Sequence, residues 1–438
     1  MTPLTLSVAR LAKLNQLVTL IVIGSIGYFL DINTLTSWIG FCTCILLALL
    51  ISATYLNKVK GFILLWTLLF VSYASVNCAA LVGDFFIFLI SIRYYLLVPI
   101  LAFCLYALKL KNLQKLLTQW ELLFAIQIPI LAIQYLVYYP LSNSWDSMVG
   151  TFGGSPLSGG NSAGLALFLG LHLCLVLARQ LYSSIKFKYF AANIIAIFSV
   201  SLLAEIKYLI FITPIIFILS RPKVLFANPL KLMLIVIIGS ALSLMLLYGY
   251  YYIFYSSFLN SFSDIFVYLS PELLDYSYTN PDTGEVGRIA AIGIWYSSNE
   301  HNILSLLFGS GLLSTKQDFF LGGGGALQAH SSFQLGNTTL SAMLWEWGIA
   351  GVIISMAPLI VGASYSFKAL RASTTNINKV TSSFAFSGCI VCLLFYPYTL
   401  SLTTTIQAQW LQALVIALAF KASQEQTKNA KLTLRTQT

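Results

Sequence analysis

Charged residues are scarce in this chain. They make up 9% of its 438 residues, against roughly 25% in soluble globular domains. The sequence also lacks a P-loop, a Gly-x-Ser-x-Gly turn, an Asp-x-Asp motif and any metal-ligand cluster. The low charge excludes an ordinary soluble domain. The missing motifs predict a functional site that uses neither a metal nor a cofactor.

A nucleic-acid partner is excluded as well. The formal net charge is +10, from 24 lysines and arginines against 14 acids, but no basic patch is interleaved with aromatic residues as a polynucleotide requires. The seven cysteines lie in apolar runs without a neighbouring histidine or carboxylate. We expect them to pack as small apolar side chains.

Long apolar runs are what the chain has instead. Hydrophobic residues form 58% of it, and runs of the roughly 17–25 residues that cross a bilayer recur from end to end. The sequence therefore predicts an all-α polytopic membrane protein in a lipid bilayer, with about twelve transmembrane helices and both termini cytoplasmic. The predicted spans are residues 15–30, 36–54, 62–82, 85–107, 117–138, 162–180, 189–205, 207–221, 232–256, 341–364, 381–397 and 402–420.

Four regions follow from these spans. Residues 1–256 hold transmembrane helices 1–9, residues 257–340 form one large outer loop with short helices, residues 341–421 hold helices 10–12, and residues 422–438 form a cytoplasmic tail. The large loop contains seven of the fourteen acids, and a loop of this length usually has a function. A second outer loop, residues 139–161, is rich in Gly, Ser and Pro and leads into a span.

Positive charge is sorted across the membrane. All but four of the 24 lysines and arginines fall in every second gap between spans, as retention of positive charge in the cytoplasm predicts. The exceptions are Arg93, Lys207, Arg288 and Lys316. A cation placed against this bias needs another reason to be there, and an anionic ligand is one. Lys316 has no further distinguishing feature and is interpreted as an ordinary loop lysine.

A short hairpin holds one of these cations. Basic residues flank residues 189–220 on both sides, so this stretch must cross the membrane an even number of times, although its length also suits one long helix. Two crossings are then short, and the turn Ala204-Glu205-Ile206-Lys207 lies at or below the outer interface. Lys207 either snorkels there with Glu205 or faces a phosphate, with Glu205 tuning it or acting as an acid or base.

The other candidates each allow two interpretations. Arg93 lies about one third of the way into its span, where a lone arginine costs about 2.5–3.5 kcal/mol. It either pairs with an acid such as Asp84 or Glu346 or faces a ligand in a polar cavity. Arg288 opens an amphipathic loop segment, as a solvated arginine or as a bidentate phosphate ligand. The candidates for a general base are His330, Glu205 and Glu346.

Four segments resemble the O-antigen polymerase and O-antigen ligase superfamily. They are GTFGGSPLSGGNSAG from Gly150; the hairpin AEIK, where the family often has a Ser-Arg-Gly-like turn; Gly287-Arg288 followed by Trp295 and LLFGSG; and LWEWGIAG at the end of the large loop. They cover residues 150–355 in matching order, whereas the first third of the chain matches only as hydrophobic spans.

The resemblance implies a glycosyltransferase of the bacterial inner membrane, with a GT-C-like arrangement and a cavity between the membrane and the large loop. It places Lys207 and Arg288 at the family's two cationic positions, where they hold the diphosphate of an undecaprenyl-diphosphate-linked glycan. Arg93 is a further candidate for this diphosphate site. Flippase and chain-length regulator proteins are the implied protein partners.

One departure favours polymerase over ligase. The ligase pattern has a histidine eleven residues before the first of two glycines, and Gly348 and Gly351 place Asn337 at that position; His330 comes seven residues too early. The expected activity is polymerisation of repeat units into O-antigen, capsule or exopolysaccharide at the periplasmic face. The alternatives are a ligase that transfers the finished glycan to a lipid A core, and a lipid-linked oligosaccharide flippase or other transporter.

Overall fold

Apolar stretches this long form helices because a helix satisfies its backbone hydrogen bonds internally, which a bilayer demands. The computed structural model shows a helical chain. It describes residues 3–55, 61–142, 147–156, 159–160, 162–221, 229–257, 259–266, 279, 286–318, 322–323 and 335–437. In these residues β-structure is confined to an isolated bridge and two antiparallel pairs, β1 (Gly154–Ser155) with β2 (Gly159–Gly160) and β3 (Gln317–Asp318) with β4 (Gly322–Gly323).

Fifteen helices are named here. In chain order they are α1 (Val8–Phe29), α2 (Asn33–Tyr55), α3 (Phe62–Val82), α4 (Phe85–Ala107), α5 (Leu110–Leu141), α6 (Ser162–Tyr182), α7 (Phe187–Leu203), α8 (Lys207–Ser220), α9 (Leu232–Tyr255), α10 (Arg288–Asn299), α11 (Ile303–Phe308), α12 (Thr339–Ala372), α13 (Asn376–Phe395), α14 (Ser401–Thr404) and α15 (Ile406–Gln437).

Nine helices within the described part of the chain are long and apolar enough to cross a membrane, namely α1 to α6, α9, α12 and α13. Each of the nine overlaps one predicted span. The chain is thus an all-α, multi-pass membrane protein, as the sequence predicts. The predicted number of twelve spans and the orientation of the termini stay predictions.

The remaining three predicted spans fall on helices of another kind. Two are the short apolar helices α7 and α8, of 17 and 14 residues. The third falls mainly on α15, whose first two turns carry Gln407, Gln409 and Gln412. Gln409 donates to the carbonyls of Arg93 and Tyr94, at 3.1 and 2.8 Å. Polar side chains with partners inside the protein lower the hydropathy of α15 without exposing it to lipid.

Helices α6 and α15 form the centre of the bundle. Residues Gly164–Ala178 of α6 are all buried, and the α15 side chains from Ala408 to Phe420 are buried too. Both helices pack against α13, and α12 packs against α13 and α15. Six of the seven cysteines are buried, with Cys42 exposed, which agrees with their predicted packing role.

The Gly-rich segment before α6 lies inside the bundle rather than over it. Met148, Val149 and Thr151 are fully buried. Gln134 of α5 accepts from the amides of Val149 and Gly150 at 3.1 and 2.9 Å, and Gln127 accepts from the amide of Thr151 at 2.9 Å. Irregular backbone within a membrane protein is stable where protein groups satisfy it in this way. The predicted outer loop, residues 139–161, therefore includes a buried turn.

Part of the predicted large loop is also ordered by contacts with the helices. Its described portion includes α10, α11 and the β3–β4 pair. The turn Gly309–Ser314 lies against the start of α12, because Ser310 and Gly311 donate backbone amides to the carbonyls of Trp345 and Glu346. The boundaries 257 and 340 themselves stay predictions.

Candidate functional site

The turn between α7 and α8 is closed by Ser201. Its hydroxyl donates to the carbonyl of Ile206 at 3.1 Å, and its carbonyl accepts from the Ile206 amide at 2.9 Å. Ala204 and Ile206 are buried, while Glu205 adopts a left-handed φ of 53°. The structure therefore has two short helices here, and the turn lies at the predicted residues.

Lys207 lies in a pocket of one acid and two aromatic rings. Its Nζ is 3.3 Å from Glu205 Oε1, and the two side chains are 30% and 21% exposed. The same ammonium is 5.7 Å from the ring centroid of Tyr250 and 5.5 Å from that of Tyr255, within cation–π range. The ammonium is thus oriented by the protein, and part of the Lys207 side chain stays exposed.

Arg288 is fixed at the start of α10. Its Nε donates to the carbonyl of Tyr398 at 3.1 Å, and its guanidinium carbon is 4.8 Å from the Tyr398 ring centroid. Two residues earlier, the Val286 carbonyl accepts from Asn337 Nδ2 at 3.0 Å. Asn337 holds the position that the ligase pattern gives to histidine, and here its amide anchors the segment that carries Arg288.

A stacked pair of tyrosines brings Lys207 and Arg288 into one neighbourhood. Tyr208, the residue after Lys207, stacks on Tyr398 with ring centroids 3.7 Å apart and planes 8° apart. Its hydroxyl donates to the carbonyl of Leu394. Tyr398 also contacts the Arg288 guanidinium, so the stack links Arg288 to the residue that follows Lys207, while the Lys207 ammonium itself lies on Tyr250 and Tyr255. We call Lys207 and Arg288 the hairpin pair.

A second aromatic residue, Tyr94, joins the other two cations. The guanidinium carbon of Arg93 is 5.0 Å from the Tyr94 ring centroid and 4.9 Å from that of Trp38, and Nη2 donates to Ser37 Oγ. Lys316 Nζ is 5.9 Å from the same Tyr94 ring. We call Arg93 and Lys316 the Tyr94 pair. Arg93 thus has Lys316 in its neighbourhood and is not part of the hairpin pair's aromatic stack.

The ammonium of Lys316 is buried, and it makes no hydrogen bond within the described structure. Burial lowers the pKa of this amine below its ordinary value, while the nearby Glu346 carboxylate acts in the opposite direction. Lys316 thus lies in a loop, as the sequence predicts, but its ammonium is buried rather than solvated. The sequence already distinguished Lys316 from most other lysines, because it is one of the four cations that lie outside the predicted cytoplasmic clusters.

Glu346 anchors the turn that leads to Lys316. Its carboxylate is fully buried. Oε2 accepts from the Tyr95 hydroxyl at 2.7 Å and from the Leu313 amide at 2.8 Å, and Oε1 accepts from the Thr315 hydroxyl. Both oxygens are thus used by protein groups, and Asp84, the other acid considered for Arg93, caps α4 by accepting from the Phe86 amide.

Two glycines allow this turn to cross α12. Gly309 and Gly348 have φ of 78° and 63°. A Cβ at Gly309 would lie 2.5 Å from the Glu346 carbonyl carbon, and one at Gly348 would lie 2.4 Å from that of Leu307. The sequence segments LLFGSG and LWEWGIAG, two of the four that carry the family resemblance, therefore pack directly on one another.

The histidines differ in their positions. His172 is buried in α6, stacked on Phe124 with ring centroids 4.4 Å apart. His301 is solvent-exposed beside Glu300, at 3.3 Å. His330 lies outside the described residues. Within the described part of the chain, no group of three His, Cys, Asp or Glu residues is arranged to hold a metal ion.

Comparisons with known proteins do not identify a family for this chain. No protein-family model matches the chain, and no curated protein matches it significantly.

Proposed function

We propose that this chain is a bacterial inner-membrane glycosyltransferase that polymerises undecaprenyl-diphosphate-linked repeat units into O-antigen, capsule or exopolysaccharide. The observation that carries the proposal is the hairpin pair, two cations from distant parts of the chain, of which Arg288 contacts the Tyr208–Tyr398 stack and Lys207 directly precedes Tyr208. A diphosphate is a ligand with the charge and the oxygen atoms that a lysine and an arginine bind together. The resemblance of residues 150–355 points to the same ligand.

The proposed reaction is a single glycosyl transfer. A hydroxyl oxygen of the acceptor sugar attacks C1 of the donor sugar, and the bond between C1 and the phosphate oxygen breaks. The lipid diphosphate leaves with the bonding electron pair, and its growing negative charge is stabilised by Lys207 and Arg288. Fixed cations of this kind favour the transition state because that is where the charge develops.

The acceptor hydroxyl must lose its proton to a base. Of the two candidates that lie among the described residues, Glu205 is the better placed, since its partly exposed carboxylate lies 3.3 Å from Lys207. The contacts of Glu346 favour a positioning role for that residue. His330 remains the alternative base. The proposal places the reaction on the periplasmic side, with both termini cytoplasmic and with flippase and chain-length regulator proteins as partners.

Polymerisation is favoured over ligation by Asn337. The ligase pattern requires a base at this position, whereas an asparagine amide cannot accept a proton from a sugar hydroxyl at neutral pH. Here the Asn337 amide also donates to the Val286 carbonyl. A transporter activity would leave the hairpin pair without a chemical step to assist.

Reconstitution of the purified full-length protein in vesicles tests the proposal. With preflipped undecaprenyl-diphosphate-linked repeat units as the only substrate, wild type should make long lipid-linked polymer. Lys207→Ala or Arg288→Ala should reduce its rate about 10²–10³-fold, the usual effect of removing one group that stabilises transition-state charge. Lys188→Ala, which removes an exposed lysine from the predicted cytoplasmic side, is the matched control and should retain full activity.

The products distinguish the three activities. Polymer made from repeat units alone supports the polymerase. Transfer of preformed polymer to a lipid A core, without chain growth, would support the ligase instead. Movement of substrate across the membrane without any new glycosidic bond would contradict both enzyme assignments.

A further inference from the structure

The Tyr94 pair has the features of a binding site that the hairpin pair does not include. Arg93 is buried, and its guanidinium lies between the rings of Trp38 and Tyr94. The Lys316 ammonium faces the same Tyr94 ring. An anion that lies near both cations would offset the repulsion between their like charges.

Lys316 supplies an independent indication of a ligand. An ammonium has three hydrogen-bond donors, and in the described structure the buried Nζ of Lys316 makes no hydrogen bond. A buried unpaired cation is costly to the fold. Glu346, the carboxylate that acts on this amine, directs both of its oxygens to Tyr95, Leu313 and Thr315.

The surrounding elements hold this arrangement rigidly. The Glu346 contacts fix the turn before Lys316, and Gln409 of α15 donates to the backbone carbonyls of Arg93 and Tyr94. The polar groups are therefore in place before any ligand binds, which lowers the entropy cost of binding.

We propose that Arg93 and Lys316 form a second anion-binding site, for a phosphate or carboxylate group of a substrate, separate from the hairpin pair. The assignment of a source rests on the proposed function. Polymerisation brings two lipid-linked glycans together, and each carries a diphosphate; the second site would then hold the acceptor's diphosphate. An acid group on a sugar is the other source of the same chemistry.

Native mass spectrometry of the detergent-solubilised full chain can count the sites. The probe is undecaprenyl diphosphate, with undecaprenol as the neutral control. Wild type should bind two equivalents of the diphosphate. The double variant Arg93→Gln/Lys316→Met should bind one, and Lys207→Ala/Arg288→Ala should also bind one. Lys368→Met, near the opposite end of α12, is the matched control and should bind two.

Glucuronate tests the other source of the anion. Protection against thermal unfolding by glucuronate, lost in Arg93→Gln/Lys316→Met, would assign the second site to an acidic sugar. Two equivalents of lipid diphosphate in wild type would assign it to the lipid. If the double variant behaves as wild type with both probes, the second site does not exist.

The two double variants test the second site and the hairpin pair separately. Loss of one equivalent in Arg93→Gln/Lys316→Met but none in Lys207→Ala/Arg288→Ala would support the second site and contradict the hairpin pair. A fold defect is recognised separately. Because Lys316→Met replaces a buried unpaired amine by an apolar side chain of similar length, this variant should unfold at a higher temperature than wild type while losing binding.

Discussion

The hairpin pair and the Tyr94 pair differ in what the protein provides around each lysine. Lys207 lies 3.3 Å from a carboxylate and keeps 30% of its side chain exposed. Lys316 has a buried ammonium without a hydrogen bond in the described structure. A partly exposed, paired lysine is stable with or without a ligand, whereas the charge on a buried, unpaired lysine is costly until an anion reaches it or the amine loses its proton. The two pairs should therefore respond differently to mutation, ligand and pH.

The largest effect on stability should come from Glu346→Ala. This change leaves the Tyr95 hydroxyl, the Thr315 hydroxyl and the Leu313 amide without their acceptor. Unsatisfied buried donors cost about 1–3 kcal/mol each, so we expect a loss of roughly 3 kcal/mol or more. Thermal unfolding followed by tryptophan fluorescence measures it.

Glu346→Gln keeps one acceptor oxygen and should lose less stability than Glu346→Ala. Assayed below its unfolding temperature, the Glu346→Ala protein should lose the second equivalent of lipid diphosphate, bound at the Tyr94 pair, and keep the first. An unchanged unfolding temperature would contradict the role of Glu346 as an anchor.

An intermediate effect is expected from Tyr398→Leu. This change removes both the stack on Tyr208 and the ring beside Arg288, interactions worth about 1–2 kcal/mol together. Polymerisation should slow about tenfold, with no effect on binding at the Tyr94 pair. Tyr365→Leu is the control, because Tyr365 packs on Phe420 with ring centroids 5.4 Å apart, away from both pairs. Equal losses of polymerisation rate in Tyr398→Leu and Tyr365→Leu would show that Tyr398 has no specific role in the site.

The smallest effect is a pH dependence specific to Lys316. Burial lowers the pKa of this amine, so between the lowered value and the ordinary value of 10.5 the unfolded chain binds more protons than the folded one. Stability from this group is therefore lowest at low pH and rises with pH through that window. The groups next to it are the Tyr94 ring and the Glu346 carboxylate, and Arg93 contacts the same Tyr94 ring.

The difference in unfolding temperature between wild type and Lys316→Met isolates this titration from all others. In the absence of an anion, the advantage of the variant should shrink as the pH rises through the lowered pKa of Lys316 toward the ordinary lysine value of 10.5. An advantage that stays constant with pH would mean that Lys316 does not titrate in this range.

The sequence predicted the helices better than the sites. Apolar runs and basic flanks located the α7–α8 turn and, in the described part of the chain, nine helices long and apolar enough to span a membrane, because bilayer thickness and charge retention act on local sequence. The burial of the Gly-rich turn was not predictable, since it depends on Gln127 and Gln134 from another helix. The burial of the Lys316 ammonium was not predictable for the same reason, since the groups around it include Tyr94 of α4 and Glu346 of α12.

The central claim is that Lys207 and Arg288 act together on one anion. A double-mutant cycle tests it most directly, with the polymerisation rate measured in vesicles for wild type, Lys207→Ala, Arg288→Ala and the double variant. Residues that act as a unit give non-additive losses, so the account predicts a double variant little slower than the slower single variant. Losses that add to within about 0.5 kcal/mol would show two independent cations and contradict the account.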